Sequence, residues 1–502
     1  MTLEADVVPT APGRPPARVP RYGMRGTVIV ALALSAVYMV GQILFWAAPE
    51  LPSQTSWLKF FLLPEPTPFQ VTRVLLLVGW GVAALLGLGL LLTGRSATLA
   101  GPGGPGVHPR SVRALRACQF GILGALLLPF TVMPLATMGA NPLQLLLCLP
   151  PTLAALFLVH RVQLYRRMPG WLLLTGFGWG ALVGGGFGIV MITWFQRSLP
   201  GYFLSRYWER PRDSVRELYV LFPLDAALVT ELGKAAGVAV LFLIFRRHID
   251  GVISGVVLGA AVGLGFNLTE TVHYLGFVNP EHHFTQFWDR QVVGLMAAHV
   301  AFTALAGAGI GAARWLPTRR DRWLVVGGGF LGAVGAHFLT DVMLILLDNR
   351  RADWYANETL GLLVGIPVMT LISSGVFVAL YVLILRHGLK AQAAGLGEAL
   401  RAEAVAGHGA VTEPEIGLLL SPRRRLLLEV RVWRRDGTAG LRHLQRFQQA
   451  QLDLAVQRWH RRRPGADSII PPEERLRSRV LELKGNSTPP ETSPLPTREE
   501  LS

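Results

Sequence analysis

Four short patterns set groups capable of chemistry inside stretches of chain that are otherwise apolar. Glu231 and Lys234 lie in the middle of an apolar run from about Leu218 to Phe245. In the next run, Phe266, Asn267, Thr269 and Glu270 are followed by His273. His299, Thr303 and Gly307 recur at four-residue spacing in a third, and His337 precedes Asp341 by four residues in a fourth. An ionised group near a helix centre costs roughly 2.5–3.5 kcal/mol in a bilayer, so it is kept where it faces a bundle interior and acts there. A lysine three residues after a glutamate shares its helical face and neutralises it. His337 and Asp341 likewise share a face. Each pattern alone has a plain structural use: an ion pair that clamps two helices, a hydrogen-bonded His–Asp couple, or polar glue between helices. Lys234 stands out even so, because lysine occurs elsewhere only at positions 59, 390 and 484.

The elements that carry these groups are membrane spans. With 502 residues, 51% of them hydrophobic, and a mean hydropathy of +0.40, the chain is too apolar for an ordinary soluble enzyme. Apolar segments of about 20 residues recur along most of its length, which predicts an all-α, polytopic helical membrane bundle. Spans are expected near Thr27–Ala48, Leu75–Leu92, Ala117–Ala136, Leu143–Val159, Trp171–Phe195, Leu218–Phe245, Val252–Phe277, Val292–Ala313, Trp323–Leu347 and Leu360–Leu385, about ten in all. The fourth contains Pro150-Pro151 and is expected to be broken or re-entrant. Cys118 and Cys148 sit in apolar stretches and indicate neither a disulfide framework nor a cysteine metal site.

The net charge of +16 reflects topology rather than nucleic-acid binding, because the arginines cluster between spans and in the tail. Arg14, Arg18, Arg21 and Arg25, then Arg95, Arg110, Arg113 and Arg116, then Arg161, Arg166 and Arg167, then Arg246 and Arg247, then Arg319, Arg320 and Arg322 all fall on one side if both termini are cytoplasmic. The connection from Arg197 to Arg216 is the exception, its charge partly offset by Glu209, Asp213 and Glu217. Residues 1–22 read as a disordered cytoplasmic N-terminus and 23–386 as the transmembrane bundle. Residues 387–485 read as a basic helical tail with an amphipathic helix at Leu441–Trp459, and 486–502 as a disordered C-terminus. The basic tail is expected to lie along an anionic inner leaflet. Two glycine series, Gly176, Gly180, Gly184, Gly188 and Gly251, Gly255, Gly259, Gly263, form smooth stripes along which neighbouring helices can approach closely.

In this topology the polar groups share a depth. Glu231 lies about 14 residues in from the outer end of its span, Glu270 is nearer that surface, and His299, His337 and Asp341 are about 7 to 10 residues in. At 1.5 Å per residue they fall within a layer roughly 12–15 Å deep, between the bilayer centre and the outer surface. Two histidines with several carboxylates can bind a divalent metal such as zinc, or hold a water between a base and an electrophile stabiliser. An ion relay could use the same residues.

The series Glu-x-x-Lys, Phe-x-x-x-Glu, His-x-x-x-Thr and His-x-x-x-Asp in consecutive spans resembles the PrsW family of intramembrane proteases, within the wider CAAX-protease-like superfamily. The resemblance covers about residues 217–345. Glu231 and Lys234 match the last two positions of the family's Glu-Glu-x-x-Lys motif, Phe266 and Glu270 its second motif, and His337 and Asp341 its last. It implies hydrolysis of a peptide bond in or beside a membrane, typically of a single-span regulatory protein such as an anti-sigma factor, in a bacterial plasma membrane. It also implies a divalent metal, zinc being the natural choice, although superfamily relatives are argued to use glutamate-activated water without one. On this reading Glu231, Glu270, His299, His337 and Asp341 are the candidate metal ligands, and the same residues with Lys234 are the candidate catalytic set. Glu231 and Glu270 would bind metal or activate water, and His337 with Asp341 would complete the site. His299 would be a further ligand or an oxyanion stabiliser, and Lys234 would neutralise Glu231 or steady developing negative charge. The chain departs from the family at Thr230, where the motif has glutamate. A threonine hydroxyl is not a base near neutral pH, so either Glu231 or Glu270 takes over or the chain binds membrane proteins without cutting them.

Overall fold

The computed structural model describes residues 22–47, 67–99, 109–204, 211–246, 248–348, 358–461 and 473–485. Expectations for residues 1–21 and 486–502, for Arg14, Arg18, Arg21 and Arg247, and for part of the Arg197–Arg216 connection lie outside them. The described residues are mostly helical, with no strand among them. Among the described residues, nine helices are long and apolar enough to cross a membrane. After α1 (Tyr22–Trp46), α2 (Thr67–Leu99), α3 (Pro109–Leu127) and α4 (Val132–Ala140), those that matter for the site are α5 (Pro142–Arg161), the pair α6 (Gly170–Gly178) and α7 (Gly185–Leu204) joined through a π-turn, α8 (Pro211–Phe245), α9 (Val252–Phe277) and α12 (Arg319–Asp348). The last span continues into α13 (Ile366–Val405), so the change from apolar to polar chain at residue 386 falls inside one unbroken helix.

Two expected spans differ in detail. α5 runs through Pro150 and Pro151 without a break. The stretch Val292–Ala313 is not one continuous helix: a short helix α10 (His283–Phe287) and a π-turn (Trp288–Val293) lead into a non-helical bend, and α11 begins only at His299 and ends at Ala313. Fifteen residues reach about 22 Å at 1.5 Å each, short of a hydrocarbon core about 30 Å thick. The chain before α11 makes up the difference, folded in among α5, α9 and the last span. Gln291 accepts from Thr152 Oγ1 at 3.0 Å and donates to Thr271 Oγ1 at 3.0 Å, and Trp288 Nε1 donates to the Leu362 carbonyl at 2.8 Å.

α9 is the axis of the bundle, buried from Ile253 to Thr269. Both glycine stripes explain how it is enclosed. A Cβ on Gly255, Gly259 or Gly263 would overlap the carbonyl oxygens of Gly307, Thr303 and His299, so α9 and α11 touch backbone to backbone. On the other side, a Cβ on Gly180 would overlap the Val262 carbonyl, and one on Gly188 would come within 3.1 Å of both Phe266 and Thr230. The second stripe therefore sits in the crevice between α8 and α9. These approaches set the registry in which four helices present their polar residues to one another.

The polar tail has a core of its own. Its described elements are the end of α13, α14 (Glu413–Leu419), α15 (Pro422–Arg461) and α16 (Glu473–Gly485). Leu396, Leu400, Ile416, Leu419, Leu452 and Val456 close over Tyr165 from the connection between α5 and α6. Glu403, nearly fully buried, is held by Arg458 and by Arg477 at 2.6 Å. Arg166 bridges Asp250 at 3.4 Å and Asp453 at 3.3 Å, pinning α15 to two inter-span connections. Burial disfavours the charge of Asp250, yet Arg166 beside it holds its carboxyl below the usual carboxylate range. The tail is thus a helical unit docked on the arginine-rich face.

Replacing Gly259 by valine forces α9 and α11 apart. Overpacking of this kind costs about 1–3 kcal/mol, so the detergent-purified variant melts several degrees below the parent. Gly335→Ala, at a position with open space around it, leaves the melting temperature unchanged. Equal melting of the two variants would contradict the packing described.

Candidate active site

The polar residues of α8, α9, α11 and α12 meet at one place. Thr230, Glu231 and Lys234 share a face of α8, and Glu231 and Lys234 are fully buried. Lys234 Nζ lies 2.5 Å from Glu231 Oε1 and 3.2 Å from His299 Nδ1. It also stands 4.1 Å from the centre of the Phe266 ring, a cation–π contact that adds to its neutralisation. Thr303 Oγ1, one turn along α11 from His299, donates to Glu231 Oε2 at 3.2 Å. His337 Nδ1 is 3.1 Å from Glu231 Oε1 and 3.2 Å from Thr230 Oγ1, while its Nε2 is 3.5 Å from Asp341 Oδ2. The two imidazoles stand nearly perpendicular, their centres 5.0 Å apart, with Phe302 stacked on His337.

Glu270 lies on the far side of His299. Its Oε2 is 2.7 Å from His299 Nε2 and 2.7 Å from an Arg290 guanidinium nitrogen. An ionised carboxylate only accepts, so His299 donates through Nε2–H and its Nδ1 lone pair accepts from the Lys234 ammonium. Arg290, in the π-turn before α11, also covers the Tyr274 ring at 3.9 Å. It ties the folded-in segment to the site. The sequence patterns did not single it out, because an arginine in an inter-span connection reads as a topology signal.

The ends of these helices add to the electrostatics. Because the chain bends at residues 294–298, His299 is the first residue of α11, and no side chain caps that end. The positive end of the helix dipole is therefore placed where Glu231 and Glu270 converge. Glu231 and Lys234 have no exposed side-chain surface, whereas Glu270, Arg290 and Asp341 are 15%, 24% and 31% exposed. The site thus has a closed floor and an edge that reaches the surface.

Of the expected ligands, Glu231, His299 and His337 form a group whose donor atoms all lie within 4.8 Å of one another. Glu270 and Asp341 each contact an imidazole of that group from outside it, the position of carboxylates that orient metal-bound histidines. His273 is directed instead at Tyr274, 6.3 Å between ring centres. Two imidazole nitrogens and one carboxylate oxygen are the donor set of many catalytic zinc sites. By donor type the three fit a divalent metal, for which the Lys234 ammonium, now against two of them, would have to give way.

Fold and site together define a polytopic helical membrane protein with a buried carboxylate–imidazole centre. Residues 168–372, less than half the chain, match the family model described as PrsW family intramembrane metalloprotease. The resemblance carried by the four motifs holds over this stretch, which spans every residue of the site. No curated protein matches the chain, and no solved structure does.

Removing the positive charge beneath the site leaves a buried carboxylate without its closest partner. Breaking such a pair costs about 3–5 kcal/mol, so Lys234→Met sharply lowers the melting temperature in detergent. The double variant Glu231→Gln/Lys234→Met, with no charge left over, regains most of that loss. If the double variant were no more stable than the single one, the pair would not be the neutralising contact.

Proposed function

We propose that the chain is an intramembrane peptidase that hydrolyses a peptide bond of a membrane-embedded or membrane-proximal protein, in the regulated proteolysis of a signalling protein. The observation that carries this reading is the convergence of Glu231, His299 and His337 from three spans at a buried centre, within the stretch matched by the protease family. These three residues would hold a divalent metal, zinc by donor chemistry. When bound, it would supply Lewis-acid polarisation of the scissile carbonyl and of water.

The chain's own groups divide the remaining work. Both contacts of Glu270 engage Oε2, leaving Oε1 to take a proton from the attacking water at the exposed edge and return it to the leaving amine. As the carbonyl carbon accepts the water oxygen and the C–N bond breaks, charge gathers on the carbonyl oxygen. The positive end of α11 is placed to stabilise it. Lys234 holds Glu231 charged and in position, and Asp341 orients His337. The substrate reaches this edge from the bilayer, so a single-span anchored protein fits best. On the arginine placement, both termini lie in the cytoplasm of a bacterial plasma membrane.

Thr230 supports a second reading. Its hydroxyl contacts His337 Nδ1 where the family motif has a carboxylate, as expected of a relative that binds membrane proteins without cutting them. Purified protein in liposomes, offered tagged single-span proteins, separates the two. The peptidase cleaves, and Glu231→Gln or His337→Ala lowers the rate at least 100-fold without changing substrate capture. Capture without cleavage under every metal condition would replace the first reading by the second. A gain in rate for Thr230→Glu would mean that this position limits, but does not abolish, the chemistry.

A further inference from the structure

The first arm of α15 has a face that neither the tail core nor the site accounts for. α15 kinks at Gly437, whose φ of +65° is open to glycine without strain. The two arms fold alongside each other. Glu429, on the inner side of the first arm, accepts from Gln445 of the second at 3.0 Å. The outer side carries Leu426, Leu427, Val430 and Trp433, exposed by 51%, 62%, 38% and 51%. Among the described residues beyond 386, only Val405 and Leu481 are other large apolar side chains exposed to this degree. The apolar exposure of the tail is thus concentrated in one stripe about two helical turns long.

Arginines border the stripe. Arg423, Arg424, Arg431, Arg434 and Arg435 are all exposed. The two acids of the arm are occupied: Glu429 faces Gln445, and Asp436 pairs with Arg435 at 3.0 Å. The start of the arm is fixed at the root of the spans. Arg425 donates to the Leu164 carbonyl and stands 5.9 Å over the Tyr165 ring. Those residues lie in the short connection between α5, which ends at Arg161, and α6, which begins at Gly170. The arm is therefore at the level where two spans leave the hydrocarbon.

We propose that residues 422–435 form an interfacial helix that binds the anionic lipid surface adjoining the tail. The apolar stripe enters the boundary between headgroups and acyl chains, and the flanking arginines engage lipid phosphates. A helix with an apolar stripe, a tryptophan and arginine flanks has the composition of such an element. The excess positive charge selects an anionic surface over a neutral one. The second arm of α15, whose Leu452, Leu454, Ala455 and Val456 are buried, takes no part in lipid binding.

Site-directed spin labelling of the full chain in liposomes tests this. With Cys118 and Cys148 replaced by alanine, a nitroxide is placed at Val430→Cys, at Leu427→Cys, and, as a control on α16, at Glu474→Cys. Collision with oxygen and with a water-soluble nickel chelate is measured in phosphatidylcholine alone and with one-third phosphatidylglycerol. In the anionic liposomes, labels at 427 and 430 are several-fold more accessible to oxygen than to the chelate, and the control stays accessible to the chelate. Combining Arg423→Gln, Arg424→Gln, Arg431→Gln and Arg434→Gln removes the difference between the two lipid compositions. Labels at 427 and 430 that remain open to the chelate in both compositions would overturn the proposal. So would labels shielded from both reagents, which would mean a second copy or another protein on this face.

Discussion

The ion pair between Glu231 and Lys234 is the constraint around which the rest is arranged. Both side chains are fully buried, 2.5 Å apart, in a helix whose neighbours are apolar spans. Such a pair is tolerated only when its remaining hydrogen-bonding capacity is met. Here Thr303, His299, His337 and the Phe266 ring meet it, and these residues come from three other helices. The pair therefore dictates which faces of α9, α11 and α12 turn inward. The groups recruited to satisfy it are also those with the chemistry to bind a metal and move protons.

Close approach is what makes that arrangement possible. The side chains at the centre are short or fixed in length, so the helices bearing them have to touch. Glycine stripes on α9 and on the α6–α7 pair remove the Cβ atoms that would hold them apart. The break before α11 then puts His299 at a helix start beside the two glutamates, and Arg290 in the folded-in segment closes the outer side. The floor is fully buried, and the edge formed by Glu270, Arg290 and Asp341 reaches the surface. That gradient suits a site receiving a substrate from one side only.

Much of this was legible in the sequence, for identifiable reasons. Apolar length reports spans directly, and the four-residue spacing of His299 with Thr303 and of His337 with Asp341 survives as shared helical faces. The glycine series announced the contacts of α9 because nothing but small residues permits them. Other features were not legible. Hydropathy alone does not distinguish one continuous helix from the bend and short helix at 292–313, since both are apolar. Pro150 and Pro151 suggested a break that α5 does not have. The division of the five candidate ligands into an inner three and two orienting carboxylates depends on side-chain direction across helices, which spacing does not encode. Arg290 was hidden because its partner Glu270 is on a different element. The tail read as basic and helical, but its own core was not legible because its buried leucines are dispersed among arginines.

On the proposed reading, Glu231, His299 and His337, distant in the chain, hold one divalent ion together. Elemental analysis of detergent-purified protein, with protein quantified on the same sample, tests it most directly. The account predicts one equivalent of divalent metal per chain, lost in Glu231→Gln, in His299→Ala and in His337→Ala, each with the fold retained by circular dichroism. A wild-type chain that cleaves substrate without bound metal, or a stoichiometry unchanged in all three variants, would contradict it.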